Sequence, residues 1–328
     1  MAFHGDSADY SDWMKRLPES LWSVPLNQLA IPGTHNSFTF QLDEAGNVAP
    51  GAPNFVQNLV GLFGLLAKKI VSNWSRTQSL GVEAQLKAGV RYFDIRVSSR
   101  PGSMEPYVVH GLYGPTVDSC LDTLSAFLEE HTHEIVFLDF NHFYEMDNAA
   151  HDRLLKAVID RFSSKMCPVM DLSEVTLQLM WTAGLQLVVF YHCDTACQSH
   201  FQLWPASYIP APWHNTVTCS ELVSANAAKL ATRTQTISET FYVTQGILTP
   251  DGGFVVSHLG QKLCDTLSGQ AVRPFLDWLR LQKCGHGGIN VVTVDFIELT
   301  QLVPIVLNLN QTLAHCLNSP RRTTSTNS

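Results

Sequence analysis

Short apolar runs recur along this chain with room for one helix between successive runs, and that alternation constrains the fold more than any other feature. Residues 26–31, 90–97, 107–110, 135–141, 185–191, 241–248 and 289–296 read as strands. A weaker candidate, around 207–209, sits among Pro205, Pro210 and Pro212. Helical periodicity fills the intervals at 79–88, along the Leu121, Leu124 and Leu128 stripe, and at 150–163, 176–183, 222–231, 270–283 and 299–316. Apolar strands joined by helical crossovers require a parallel sheet buried on both faces. Eight such units favour an α/β fold closed as a (β/α)8 barrel over an open doubly wound sheet. No Gly-rich phosphate loop follows the first strand, which also disfavours a nucleotide-binding sheet.

The chain has 328 residues, with 45% hydrophobic and 15% charged side chains. That composition supplies a large core, and an α/β barrel of this length can be a single domain. Residues 10–22 read as an amphipathic helix with Trp13, Leu17, Leu21 and Trp22 on its apolar side. The expected layout is therefore an N-terminal helix within 1–22 packed on the barrel, the barrel at 23–317, and a disordered polar tail at 318–328. The net charge of -8 argues against a nucleic-acid partner. Residues 1–12 are polar and lack the apolar core of a signal peptide, and eight scattered cysteines form no disulfide framework. A cytoplasmic protein with reduced thiols is expected. His192, Cys193, Cys197 and His200 could be drawn as a zinc site, but one short loop supplies all four, and buried cysteine is the preferred reading.

The connection 39–76 is unusually long, as functional lids and binding loops are. Its apolar segment, 55–67, is interrupted by Gln57 and Asn58 and is too short to span a bilayer. A core helix is the default reading and an interfacial helix the alternative, with Phe55, Leu62, Phe63 and Trp213 as candidate membrane contacts.

In a parallel barrel the C-terminal strand ends converge on one mouth. They carry His35 and Asn36, Asp94 and Arg96, His110, Asp139 and Asn141, Tyr191 and His192, and Asp295. Strands one and eight become neighbours on closure, which brings Asp295 within reach of His35. Two histidines, a carboxylate that can orient one of them, and a guanidinium suit acid–base work on an anionic centre.

With these residues in place the chain resembles phosphatidylinositol-specific phospholipase C X domains, and within them the short proteins that carry no accessory domain. The likeness rests on Ile31-Pro32-Gly33-Thr34-His35-Asn36-Ser37, Arg91-Tyr92-Phe93-Asp94-Ile95-Arg96, Val109-His110-Gly111, residues 135–143 and Val294-Asp295-Phe296. It implies a distorted TIM-type barrel that cleaves membrane phosphatidylinositol to diacylglycerol and an inositol phosphate through a 1,2-cyclic phosphate. It further implies His35 as general base, His110 as general acid, Asp295 as the orienting partner of His35, and Arg96, positioned by Asp94, as the phosphate stabiliser. Asn36, Asp139, Asn141, Tyr191 and His192 would contact substrate, and membrane contact would be peripheral and transient. Arg96 resembles the metal-independent bacterial solution, so no cofactor is expected. Asn36, shared with the calcium-dependent members, keeps calcium as an alternative. Few cations at the mouth imply weak preference for extra ring phosphates. The competing reading is a catalytically weak or inactive phosphoinositide-binding module. A metal-dependent hydrolase on the same barrel is disfavoured, because strand one has no His-x-His pair.

Overall fold

The structure is a computed structural model that describes residues 9–52, 54–235 and 240–319. Nine strands occur in chain order: β1 (Ile31–Thr34), β2 (Tyr92–Ser98), β3 (Tyr107–His110), β4 (Leu112–Thr116), β5 (Val136–Tyr144), β6 (Leu187–Tyr191), β7 (Leu203–Trp204), β8 (Val243–Gly246) and β9 (Val291–Val294). Seven are parallel, in the order β7-β6-β5-β2-β1-β9-β8, so the first and last strands of the chain are neighbours. This is the α/β barrel-type fold expected from the strand–helix alternation. Among the described residues no ladder joins β7 to β8. Loop backbone bridges that seam instead, with the Val243 N–H donating to Pro210 O at 3.0 Å.

Several elements depart from the sequence reading. The third strand is not a barrel stave: β3 pairs antiparallel with β2 and with β4, because Gly111, at φ +71°, folds the chain back directly after His110. The doubtful strand at 207–209 lies in a 3-10 turn (Ala206–Tyr208), and the ladder residues are Leu203 and Trp204, just before Pro205. Residues 26–28 also form a 3-10 turn, so the first strand starts five residues later than expected. It contains Pro32, which a central strand rarely tolerates. Here Pro32 sits at the foot of the β1–β2 ladder, where only its carbonyl is used, accepting from Arg91 N at 2.8 Å. Residues 10–22 form turns and a short 3-10 helix (Glu19–Leu21) rather than an amphipathic helix, since Pro18 removes a donor in the middle of the segment. The 318–328 tail lies almost wholly outside the described residues.

Strand alternation sorts side chains into two cores. Phe93, Ile95, Val97, Leu138, Phe140 and Tyr191 point outward against the helices. Ile31, Tyr92, Phe137, Phe190, Phe241 and Val291 point inward. Phe241 contacts Phe137, Phe190 and Trp204 in edge-on or tilted packing at 5.2, 5.3 and 5.9 Å between ring centres. These rings plug the barrel below the mouth.

The N-terminal segment closes the opposite end. Arg91, fully buried, donates from Nε and Nη2 to Glu134 Oε2 at 2.9 and 2.7 Å, and its remaining N–H groups reach the carbonyls of Leu86, Val90 and Ser11. Glu134 in turn accepts from the Met14 and Lys15 amides. Removing one partner would strand a buried charge at a cost of about 3–5 kcal/mol. Glu134→Ala is therefore expected to lower the urea midpoint by an amount matching that loss. The apolar pair Arg91→Met with Glu134→Leu is expected to recover only part of it, because the Met14 and Lys15 amides and the Ser11 carbonyl still lose their partners. An unchanged midpoint in Glu134→Ala would overturn this account.

Candidate active site

The C-terminal strand ends enclose a cavity of about 690 Å3, a size that takes a small-molecule ligand whole. His35 follows β1 and Asp295 follows β9, and these strands pair from Ile31↔Val291 to Thr34↔Val294. The register sets the next two residues side by side. His35 Nδ1 lies 2.8 Å from Asp295 Oδ1, and both groups are buried. A carboxylate only accepts, so Nδ1 carries the proton and the Nε2 lone pair faces the cavity. The Asn36 amide donates to Nε2 at 3.0 Å, and Arg96 Nη2 stands 3.4 Å from it.

Both strands leave the sheet through a left-handed residue, Asn36 at φ +42° and Phe296 at φ +49°. Asparagine tolerates this conformation, whereas in phenylalanine it stores strain of about 1–2 kcal/mol. A two-residue clamp holds both turns. The Thr77 hydroxyl donates to the carbonyls of His35 and Asn36, and the Thr77 carbonyl accepts from Phe296 N at 2.7 Å. The Gln78 amide donates to His35 O and Val294 O. The sequence reading passed over Thr77 and Gln78, whose only signal was their position at the end of the long connection.

His110 caps β3. Its Nδ1 donates to Ser75 O at 2.6 Å, which leaves Nε2 toward the cavity, and its ring centre lies 6.2 Å from that of His35. Burial first, then the charge of Arg96 and the nearness of His35, push the His110 pKa down to about 3. In the resting protein it is therefore neutral.

Asp94 and Asp139 are ladder partners facing inward side by side, and each is balanced separately. Asp94 accepts from Asn36 N at 3.0 Å and Asn141 Nδ2 at 2.6 Å. Burial would raise its pKa, but the neighbouring His35 and the Arg96 guanidinium, with these hydrogen bonds, take it below the usual carboxylate value. Asp139 accepts from Tyr92 OH at 2.5 Å and meets His192 Nε2 at 2.9 Å. Burial opposes protonation of His192, yet its bond to Asp139 carries its pKa above the ordinary histidine value. Tyr92 fits here because residue 33 is glycine: a Cβ there would lie 2.7 Å from the Tyr92 ring.

Of the residues singled out from sequence, His35, Asp94, Arg96, His110, Asp139, Asn141, His192 and Asp295 line the cavity. Asn36 stands beside it, its side chain against His35. Tyr191 does not reach it. Strand alternation turns Tyr191 outward, where its hydroxyl meets His151 Nδ1 at 2.7 Å among Phe140 and Phe143. The same alternation, read from Phe190 to His192, would have excluded it. Lining residues missed as site residues include Thr77, His142, admitted by a register shift after the Ile95↔Phe140 pair, and Trp213, whose ring centre lies 5.1 Å from that of His35.

Calcium asks for six to eight oxygen ligands. Here both Asp94 oxygens accept hydrogen bonds, Asp139 and Asp295 are committed to Tyr92, His192 and His35, and the Arg96 guanidinium stands among them. Asn36 Oδ1 and Asp139 Oδ1 are buried without a hydrogen bond, but the guanidinium charge among these oxygens opposes calcium. At the loop considered for zinc, the Cys197 thiol donates to Tyr191 O, and among the described residues no three metal-ligating side chains converge.

The chain is 42% identical to PI-PLC X domain-containing protein 3 of Bos taurus over 92% of its own length and 94% of that protein's. It is 41% identical to protein 2 of Mus musculus, covering 92% and 88%. The chain belongs to the PI-PLC X domain-containing proteins. No family model matches it. Among solved structures, this PI-PLC X domain chain is similar to a variant of phosphatidylinositol-specific phospholipase C from Staphylococcus aureus, at TM-score 0.64 and 16% identity over 93% and 99% of the two chains. It is also similar to the enzyme of that name from Listeria monocytogenes, at TM-score 0.58 and 17% identity over 92% and 98%.

The depressed His110 value has a measurable consequence. Between pH 6.5 and about 3 the unfolded chain protonates this histidine and the folded chain does not, so stability falls as pH drops through that window. His110→Gln is expected to flatten the decline, read as the slope of urea midpoint against pH. An unchanged slope would contradict the assignment.

Proposed function

We propose that this protein cleaves the phosphodiester of phosphatidylinositol without a metal, by attack of the inositol 2-hydroxyl on phosphorus. The observation that carries the proposal is the His35 ring, with Nδ1–H committed to Asp295 and its Nε2 lone pair turned toward Arg96 in the cavity at the barrel mouth. Family membership and the fold of the bacterial phospholipases support the same chemistry.

Nε2 of His35 takes the hydroxyl proton, displacing the Asn36 amide that covers it at rest. Asp295 stabilises the resulting imidazolium. Arg96, whose Nη2 stands 3.4 Å from His35 Nε2, carries the charge that develops on the phosphoryl oxygens. His110 protonates the departing glycerol oxygen. Its Nδ1–H is held by Ser75 O, so the proton it gives is one that Nε2 takes from solvent when an anionic phosphate docks on Arg96 and offsets the repulsion that, after burial, lowers its resting pKa. The inositol ring meets Asp139, Asn141 and His192.

Docking at a membrane falls to the mouth side. The helix Asn54–Ser75 breaks at Gly64, and the next two residues, Leu65 and Leu66, are 72% and 67% exposed. Of the contacts expected from sequence, Trp213 is 42% exposed, while the side chains of Phe55, Leu62 and Phe63 lie outside those described. No described helix is long and apolar enough to cross a membrane.

Phosphorus NMR on phosphatidylinositol vesicles with excess chelator is expected to show inositol 1,2-cyclic phosphate. His35→Ala should lower the rate by about 10²–10⁴ and Arg96→Ala by about 10²–10³. Strict dependence on added calcium would refute the metal-free reading. Lipid binding without turnover would favour a binding module. In vesicle flotation, Leu65→Ser with Leu66→Ser is expected to reduce the bound fraction, and undiminished flotation would remove the helix from the docking surface.

A further inference from the structure

A tryptophan for which the chemistry above has no role stands against the base. The ring centres of Trp213 and His35 lie 5.1 Å apart with their planes at 41°, so the contact is neither edge-on nor parallel. His35 is 4% exposed and the indole 42%. Membrane contact accounts for the exposed part of the indole and not for the part that meets His35. The segment carrying it is tied down. Pro210 O accepts from Val243 N at 3.0 Å, and the Gln245 amide donates to Ala211 O at 3.1 Å and to Pro212 O at 3.0 Å. A lipid anchor needs no such fixed placement. Gln245 is buried on β8 and lines the cavity. It pairs with Thr293 of β9, two residues before Asp295. Neighbouring strands thus address His35 from two directions: β9 sets Asp295 at its Nδ1, and β8, through Gln245, sets an indole against its ring.

The charges around His35 give an indole something to do there. Once Nε2 takes a proton, the new cation faces a like charge, Arg96 Nη2, at 3.4 Å. Asp295 Oδ1, 2.8 Å from Nδ1, and Asp94 Oδ2, 3.9 Å from Nε2, oppose that repulsion. The His110 ring, 6.2 Å away and neutral at rest, does not. Both carboxylates approach the ring nitrogens, whereas Trp213 meets the ring as a whole. An aromatic face within about 6 Å attracts a cation, most strongly when the ring is tryptophan and water is excluded.

We infer that Trp213 is a positioning residue for the reaction: its indole steadies the His35 ring and stabilises the imidazolium formed when the base takes its proton, and Gln245 holds the indole there through the Ala211 and Pro212 carbonyls. The inference rests on the reading of His35 as general base. It separates Trp213 from a lipid anchor, because the effect belongs to the chemical step and persists where no membrane is present. It also separates Trp213 from a wall for the inositol ring, which would act on KM.

The test uses monomeric dihexanoyl phosphatidylinositol, so that vesicle binding does not enter, with 5-fluoro- and 5,7-difluorotryptophan installed at position 213 alone. Fluorine withdraws electron density from the ring face and leaves its size nearly unchanged. kcat is expected to fall stepwise along the series with KM unchanged, and Trp213→Leu to lower kcat about three- to thirtyfold. Gln245→Leu, which removes both donors, should lower kcat within the same range and add little to Trp213→Leu in the double variant. A second readout needs no turnover. In nitrogen NMR at one fixed acidic pH, the charged form of His35 is expected to lose population along the same fluorine series. Rates and populations that ignore fluorination, or a loss confined to KM, would overturn the inference. A population change along the series in a chain that turns over no lipid would sustain the indole's hold on the charged ring and sink the phospholipase reading. Turnover that requires His35 but ignores the series would do the reverse.

Discussion

The hydrogen bond between His35 and Asp295 joins residues 260 positions apart, and much of the architecture serves to make it possible. It forms only because the first and last parallel strands lie side by side in register and because each strand is abandoned at once, through a left-handed residue, so that the next side chain stays at the mouth. Strain in those turns is held by Thr77 and Gln78, which bond to both. Gly33 gives the space that Tyr92 needs below, and Tyr92 in turn holds Asp139. A two-atom contact at the mouth thus depends on choices of residue on three strands and one loop.

The site also manages its charge by division. Three carboxylates and one guanidinium share a cavity that would repel any excess of either sign. Asp295 serves His35, Asp94 serves the turn at Asn36 and the Asn141 amide, and Asp139 serves Tyr92 and His192. With each carboxylate committed, Arg96 remains the principal cation available to an incoming phosphate. Under the proposed reaction, this arrangement suits a single phosphate group held beside His35.

Most of this was legible in the sequence because period-two alternation and polar strand ends leave a direct trace. Asp94 with Arg96, and Asp139 with Asn141, could be placed on one face from spacing alone. What escaped did so for identifiable reasons. Tyr191 was assigned to the mouth by its place at a strand end, although alternation from Phe190 turns it outward. His142 enters through a register shift that no local residue type announces. The β3–β4 hairpin was read as a barrel stave because one glycine, Gly111, decides between crossover and reversal. Trp213 and the clamp residues lie in long connections, where no periodicity reports on tertiary position.

The long connection between β1 and β2 gains a different meaning from its closing residues. The helix that exposes Leu65 and Leu66 ends at Ser75, whose carbonyl grips His110, and two residues on, Thr77 and Gln78 grip the turns of His35 and Asp295. Surface helix and both imidazoles are thus linked by a few bonds of continuous backbone. A tilt of that helix would act on the same backbone that holds both rings, with Arg76 alone standing between Ser75 and Thr77.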